Sequence, residues 1–300
     1  MGCQPPHGVA SARASQHMPY SVPITGHRRR LDSYSKGINM RIARFEVGRL
    51  ARYGVVEGDS VVEIRGDVFG SFDTTSTSHS LSEVSLLAPV TPRQMFGPGL
   101  NFADHLHEAT AITGQSEMAP TPEPWLKAIN AIINPGDNIV IPYDSTTGIE
   151  HEGECLAVIG QVTRRVSEEE AWGRIFGYTC GNDVSERTWQ ANDSSFWRGK
   201  GSDTFAPIGP WIDTEFDPRA GGDMIVTLNG EEVQRASTVD MYYDFGVLVS
   251  YISQHVTLQP GDVVWSGTTG RPRVMSPGDT VVVEVQGIGA LSNPVVMEPK

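Results

Sequence analysis

Cysteine is scarce in this chain. Cys3, Cys155 and Cys180 are too few and too scattered for a disulfide framework or a thiolate metal site, and they fit a reducing cytoplasm. Apolar runs of membrane-spanning length are missing as well, which argues against a spanning helix. Positive charge is short: 23 Lys and Arg stand against 36 Asp and Glu, a net charge of -13. Such a surface repels phosphate backbones and anionic lipid, so neither nucleic acid nor membrane is an expected partner. No Walker or dinucleotide glycine motif sits in a strand–turn–helix setting, and no G-x-S-x-G elbow occurs. These absences argue against nucleotide chemistry and serine hydrolysis.

What is present is ordinary for a globular enzyme: 39% hydrophobic and 20% charged residues over 300 positions, enough for one large domain or a large and a small one. Residues 1–39 are rich in Pro, Ser, Gly and His and carry no apolar periodicity. No apolar stretch follows Arg28-Arg29-Arg30, so this is not a secretory signal. Gly2-Cys3 is a poor match to a lipidation site. The segment reads as a disordered extension, a transit peptide being the other reading, and the ordered pattern begins at Met40. From Met40 to Pro89 apolar and polar residues alternate around a hairpin turn at Glu57-Gly58-Asp59, giving a small strand-rich domain. A polar loop is expected from Thr74 to Ser80, and Leu86 to Val90 reads as a connector. The main domain then occupies residues 90–300.

Its first strand runs through Gly97-Pro98-Gly99 into a helix entry with Asp104 as the expected N-cap. His105 and Glu108 are three apart and share a helix face, which is the geometry of a carboxylate-held general base and equally of a plain surface pair. His107 diverges from His105 on a helix and forms no zinc pair with it. Lys127 stands in apolar surroundings, either as a snorkelling edge residue or as a ligand-binder.

The densest chemistry lies between Glu150 and Gln190. Glu152 and Glu154 open an apolar run, and a strand's period of two places both carboxylates on one face. Ser167 and Glu170 form a capping box. A second strand, Ile175 to Cys180, delivers Asp183 just beyond its end. Three carboxylates that close repel one another unless a cation intervenes, and their oxygens suit Mg²⁺, Mn²⁺ or Ca²⁺. A lone Glu-x-Glu on a solvated strand is the plain alternative.

Downstream, glycines flank Lys200 in a loop able to aim an ammonium at an anion or simply to expose it. Asn229-Gly230 predicts a two-residue hairpin turn. Thr238 to His255 has helical apolar spacing at Met241, Phe245, Leu248, Val249 and Ile252. Pro260-Gly261-Asp262 and Pro277-Gly278-Asp279 each precede a strand. Between them, Gly267-Thr268 is either a tight turn or a carboxylate-binding one.

The motifs EHEGECLAVIG, GYTCGNDVSERTWQ, RGKGSDTFAPIGPW, LQPGDVVWSGTTG and VQGIGALSNP occur in one order, and together they resemble the fumarylacetoacetate hydrolase family over residues 87–297. The resemblance implies an α+β, predominantly β fold, a mixed β-sandwich or roll preceded by a small strand-rich domain. It implies a divalent ion, normally Mg²⁺, held by Glu152, Glu154 and Asp183. His105 and Glu108 match the water-activating pair of hydrolytic members. Lys127, Gln190, Lys200 and Thr268 match substrate-binding positions, Lys200 with a catalytic role as well. Two departures bear on pocket shape: Ala128 and Asn130 replace a Pro and a Ser, and Arg271-Pro272-Arg273 reaches the next strand sooner than the usual Gly-rich continuation.

The implied activity is hydrolysis of a carbon–carbon bond in a small anionic 2,4-dioxo acid of acylpyruvate type, through a metal-stabilised enolate, by a cytoplasmic homodimer. Decarboxylation, isomerisation and sugar-acid dehydration belong to the same family and are the alternative. A non-catalytic homologue is disfavoured, because all five metal and dyad residues are present. Removal of residues 1–39 is expected to leave the melting temperature unchanged, since the segment offers no apolar face to bury. A thermal melt of the shortened chain showing a large fall would refute that reading.

Overall fold

The computed structural model of the chain describes residues 40–104, 106 and 117–300. The extension over residues 1–39 and the His105–Glu108 pair lie outside the described residues.

Alternating sequence at the start folds as a meander: β1 (Arg41–Val47), β2 (Leu50–Glu57) and β3 (Ser60–Gly66). Val47 pairs with Leu50 and Glu57 with Ser60, so each hairpin closes through two residues. The stretch Thr74 to Ser80, expected as a loop, is instead most of β4 (Phe72–Ser80), antiparallel to β3. Its Thr and Ser residues suit a pleated edge, and with water on both faces the alternation that announces a strand is missing. Leu86 and Leu87, expected in a connector, belong to β5 (Ser85–Leu87), which pairs with β1.

The main domain begins with β6 (Met95–Pro98). Ala103 and Asp104 are already helical, so Asp104 lies inside the first turn and is not the cap. Next come β7 (Pro124–Lys127), β8 (Ile132–Ile133), β9 (Ile139–Ile141) and β10 (Ile149–Glu150). The central pair is β11 (Gly153–Ile159) and β12 (Ile175–Asn182), separated by the short helix α1 (Glu168–Trp172). Helix α1 carries the expected capping box, Ser167 Oγ accepting from Glu170 N–H and Glu170 Oε2 from Ser167 N–H. Helix α2 (Arg187–Asn192) and β13 (Ala206–Asp213) follow.

The remainder is β14 (Asp223–Leu228), β15 (Glu231–Ser237), α3 (Phe245–Ser253), β16 (Val263–Trp265), β17 (Val274–Met275), β18 (Thr280–Val285) and β19 (Gly289–Met297). Asn229 and Gly230 make the β14–β15 turn with φ of 55° and 83°. The helix expected from Thr238 starts only at Phe245. Asp244 accepts from Val247 N–H and caps it there, while Met241 forms an isolated bridge with Phe102.

Two sheets build the molecule. The larger runs β4-β3-β2-β1-β13-β12-β11-β16-β6-β7, with β5 and β8 attached to β1 and β13. The smaller is ordered β15-β14-β18-β19-β9, and β10 pairs with β17. One core joins both sheets, with Leu156, Ile208 and Ile212 from the larger and Val226, Val283 and Leu291 from the smaller. A separate small cluster of Ala43, Phe45 and Val61 sits under the N-terminal meander. The fold is thus predominantly β with few helices, as expected. Among the described residues no helix is long and apolar enough to cross a membrane.

Every residue of β11 is buried, so both of its faces matter. Glu154 points to one side, whereas Gly153 meets the smaller sheet on the other. A Cβ at position 153 would collide with Val226 Cγ2 and come within 3.2 Å of Val283 Cγ1. Replacement Gly153→Ala is therefore expected to destabilise the fold by about 1–3 kcal/mol through overpacking. A urea midpoint equal to the parent's would contradict this.

Candidate functional site

The start of β11 and the end of β12 lie side by side, Gly153 pairing with Asn182. This register brings Glu152 and Glu154, which flank Gly153, next to Asp183, which follows β12. Glu152 N–H donates to Asn182 Oδ1 at 2.9 Å, and Asp183 N–H donates to the Glu152 carbonyl at 2.8 Å, pinning the junction. One carboxylate oxygen from each of Glu152, Glu154 and Asp183 lies within 4.8 Å of the other two, and all three residues are buried.

Like charges at that density need compensation, and the chain supplies part of it. Lys200 Nζ donates to Glu152 Oε2 at 2.5 Å, Asp183 Oδ2 at 2.6 Å and Ser185 Oγ at 2.8 Å. Lys127 Nζ donates to Asp183 Oδ1 at 2.5 Å and lies 5.6 Å from the ring centroids of both Trp125 and Trp265. Neither lysine is the solvent-facing side chain that its sequence context allowed. Arg187, which sequence reasoning missed, spans Glu150 and Glu152 with contacts of 2.6 Å and donates to Gln190 Oε1 at 2.8 Å. The only local signal was its spacing of three from Gln190 on α2.

Burial works against each of these cations. For Lys200 the charges of Asp183 and Glu152 outweigh it and raise the pKa. For Arg187, Glu152 and Glu150 do the same. Lys127 goes the other way: burial prevails over Asp183, Lys200 adds repulsion, and the pKa falls.

Glu154 is the member left over. Among the described residues no salt bridge reaches it, and its Oε2 accepts one hydrogen bond, from Gly267 N–H at 2.7 Å. Burial, then the charges of Asp183 and Glu152, push its pKa well above the usual carboxylate range. A divalent cation bound there would answer this deficit. The donor set is three buried hard oxygens, which suits Mg²⁺, Mn²⁺ or Ca²⁺ and not a soft, thiolate-loving metal.

A narrow cavity opens onto the triad, lined also by Asn101, Gln190, Lys200 and Thr268. The structure thus brings together Lys127, Glu152, Glu154, Asp183, Gln190, Lys200 and Thr268, seven of the nine residues singled out in sequence. Asn101 was not among them. Its Nδ2 donates to the carbonyls of Ser266 and Tyr243, tying the turn before Gly267 to the entry segment of the domain. The Thr268 hydroxyl donates to the Gly153 carbonyl at 3.0 Å and accepts from Gln234 Nε2 at 2.8 Å.

If the triad holds the ion, Mg²⁺ at a hundredfold excess over its Kd should stabilise the parent by about 2.7 kcal/mol. The substitution Glu154→Gln keeps an acceptor for Gly267 but removes the charge, and is expected to abolish that gain. Equal Mg²⁺-dependent shifts in the melting temperature of parent and variant would exclude Glu154 as a ligand.

Comparison with known proteins agrees with this geometry. Residues 94–296 match the family model described as fumarylacetoacetate (FAA) hydrolase C-terminal, and residues 40–89 match one described as Rv2993c-like, N-terminal. Protein Rv2993c of Mycobacterium tuberculosis is 37% identical over 271 residues, covering 87% of this chain and all of the relative. The crystal structure of a 5-carboxymethyl-2-hydroxymuconate delta-isomerase from Mycobacterium smegmatis is similar with a TM-score of 0.79 and 37% identity, over 86% of this chain and 100% of that one. Maleylpyruvate hydrolase from Sphingobium sp. SYK-6, solved with manganese(II) and pyruvate, is similar with a TM-score of 0.71 and 28% identity, over 87% of this chain and 100% of that one. With the family model spanning most of the chain and the acidic triad in place, the chain belongs to the fumarylacetoacetate hydrolase family.

Proposed function

We propose that this chain is a divalent-metal-dependent enzyme acting on small anionic 2-oxo acids, and that its reaction is hydrolytic cleavage of a carbon–carbon bond in a 2,4-dioxo acid of acylpyruvate type. The observation that carries the reading is the buried convergence of Glu152, Glu154 and Asp183 beside Lys127 and Lys200. The three carboxylates would hold Mg²⁺ or Mn²⁺, with Ca²⁺ as the third candidate. A cation bound there would supply Lewis-acid chemistry to the oxygens of a 2-oxo acid. The Sphingobium hydrolase that holds manganese(II) and pyruvate supports this pairing of ion and substrate class.

The side chains have distinct tasks in this reading. Glu108 orients His105, and His105 takes a proton from water as the water adds to the distal carbonyl. The adjacent carbon–carbon bond breaks and its electron pair passes to the methylene carbon as an enolate. Protonation of that carbon releases a 2-oxo acid, and the distal fragment leaves as a carboxylate. Lys200 and Gln190 line the cavity; the Gln190 amide nitrogen would donate to the substrate carboxylate, and the Lys200 ammonium, whose donors are turned to Glu152, Asp183 and Ser185, would supply positive charge to the charge that develops. Lys127 backs Asp183 from the other side. Thr268 would meet substrate as an acceptor, because its hydroxyl hydrogen is committed to the Gly153 carbonyl.

Isomerisation or tautomerisation is the second reading, favoured by the likeness to the Mycobacterium smegmatis isomerase. There a proton is taken from the intact substrate and returned to a different atom of the resulting enolate, so no carbon–carbon bond breaks and no water is consumed. The two readings part at His105. Under hydrolysis, His105→Ala should lower acylpyruvate cleavage by about 10²–10⁴-fold while Mg²⁺ affinity stays near the parent's. Enol–keto interconversion of oxaloacetate, followed by enol absorbance on the same preparation, should fall less. Parental cleavage by the variant would refute the hydrolytic assignment.

A further inference from the structure

Gln234 is a polar side chain on β15, in the smaller sheet, and it is buried. It faces the turn between β16 and β17. Its Nε2 donates to Thr268 Oγ1 at 2.8 Å and to the Thr269 carbonyl. A carbonyl can only accept, so the amide nitrogen is fixed on that side and Oε1 must face the other way.

On that other side lies His151, fully buried immediately before Glu152. Its Nε2 accepts from Arg273 N–H at 3.1 Å, so in the neutral ring the proton sits on Nδ1. His151 Nδ1 and Gln234 Oε1 are both buried without a hydrogen-bond partner, and Gln234 is a neighbour of the His151 ring. One atom is a donor and the other an acceptor, so they complete each other.

The polarity then runs in one direction. Arg273 N–H donates to His151, Gln234 donates to Thr268 and Thr269, and Thr268 donates to the carbonyl of Gly153, between the two glutamates; a bond from His151 Nδ1 to Gln234 Oε1 would join the two halves in the same direction. One end of the segment Thr268–Arg273 is therefore held by Gln234 and the other by His151. Gly267, next to that segment, donates to Glu154. Its φ of +77° and a Cβ position 3.0 Å from Asn101 Cβ leave it little freedom to adjust.

We propose that Gln234, together with His151, is a positioning pair that clamps the Thr268–Arg273 segment and thereby sets Thr268 and the Gly267 N–H against the acidic triad. The part concerning the metal rests on the proposed function above. Gln234 does not line the cavity that opens onto the triad. It acts through Thr268, as outer partners of a metal site do, and losing such a partner typically costs about 10–100-fold in metal affinity.

The test uses the full chain with two substitutions. Gln234→Met keeps the length and removes both polar atoms. Gln234→Glu keeps an acceptor for His151 and loses the amide donors to Thr268 and Thr269. Amide hydrogen exchange is expected to rise in peptides covering residues 266–273 in both variants, with exchange in β11 and β12 unchanged. Mn²⁺ affinity, read by calorimetry, should fall about 10–100-fold. Parental exchange in that segment in both variants overturns the clamp. Faster exchange with parental Mn²⁺ affinity overturns its link to the triad. A parent that binds no Mn²⁺ defeats the metal reading instead, and the exchange result alone then decides the clamp.

Discussion

Three carboxylates with almost no access to water are the constraint on which this structure turns. Taking one such group out of water costs several kcal/mol unless it is paired, and taking three together adds their mutual repulsion. Glu152 and Asp183 are met by Lys200, Lys127 and Arg187. Glu154 has one backbone N–H. The imbalance falls on one residue, and that is why the arrangement reads as a cation site and not as a closed network of ion pairs.

The same constraint shapes the surrounding fold. Each compensating group reaches the triad from a different element: Lys127 from the edge strand β7, Arg187 from α2, and Lys200 from the loop before β13. Trp125 and Trp265 flank Lys127, and Trp125 lies 5.4 Å from Lys200 Nζ, so the cations are seated against aromatic faces as well as carboxylates. On the opposite face of β11, Gly153 lets the smaller sheet close in until Val226 and Val283 fill the space that a side chain would need. The site thus sits on a strand held from both sides, which keeps its ligands on rigid backbone.

The turn after β16 completes the enclosure. Asn101 holds its start, and Gln234 and His151 hold its middle and its end. Burial, followed by the nearby charge of Arg187, lowers the His151 pKa to about 4 against the opposing pull of Glu152, so the imidazole is neutral near pH 7 and can accept from Arg273. A neutral histidine, an amide and a hydroxyl can link two sheets around an acidic centre without adding charge to it.

Local pattern alone determined a good deal here. The period of two that puts Glu152 and Glu154 on one face, the capping box at Ser167, the Asn229-Gly230 turn and the Pro-Gly-Asp turns before β16 and β18 depend only on near neighbours along the chain. The order of motifs carried the family and hence the triad with Asp183. Where local pattern failed, the reason is physical. The stretch Thr74 to Ser80 lacks alternation because both faces of β4 meet water, and the helix before Phe245 is cut short because Asp244 caps it later than apolar spacing suggested. Tertiary structure alone decided that Lys127 and Lys200 turn inward onto carboxylates, that Arg187 bridges Glu150 and Glu152, and that Gln234 reaches Thr268 across 34 positions of sequence. Those contacts join residues far apart in the chain or on different elements, and no periodicity records them, because the partner that makes each buried polar atom tolerable arrives only when the chain folds back on itself.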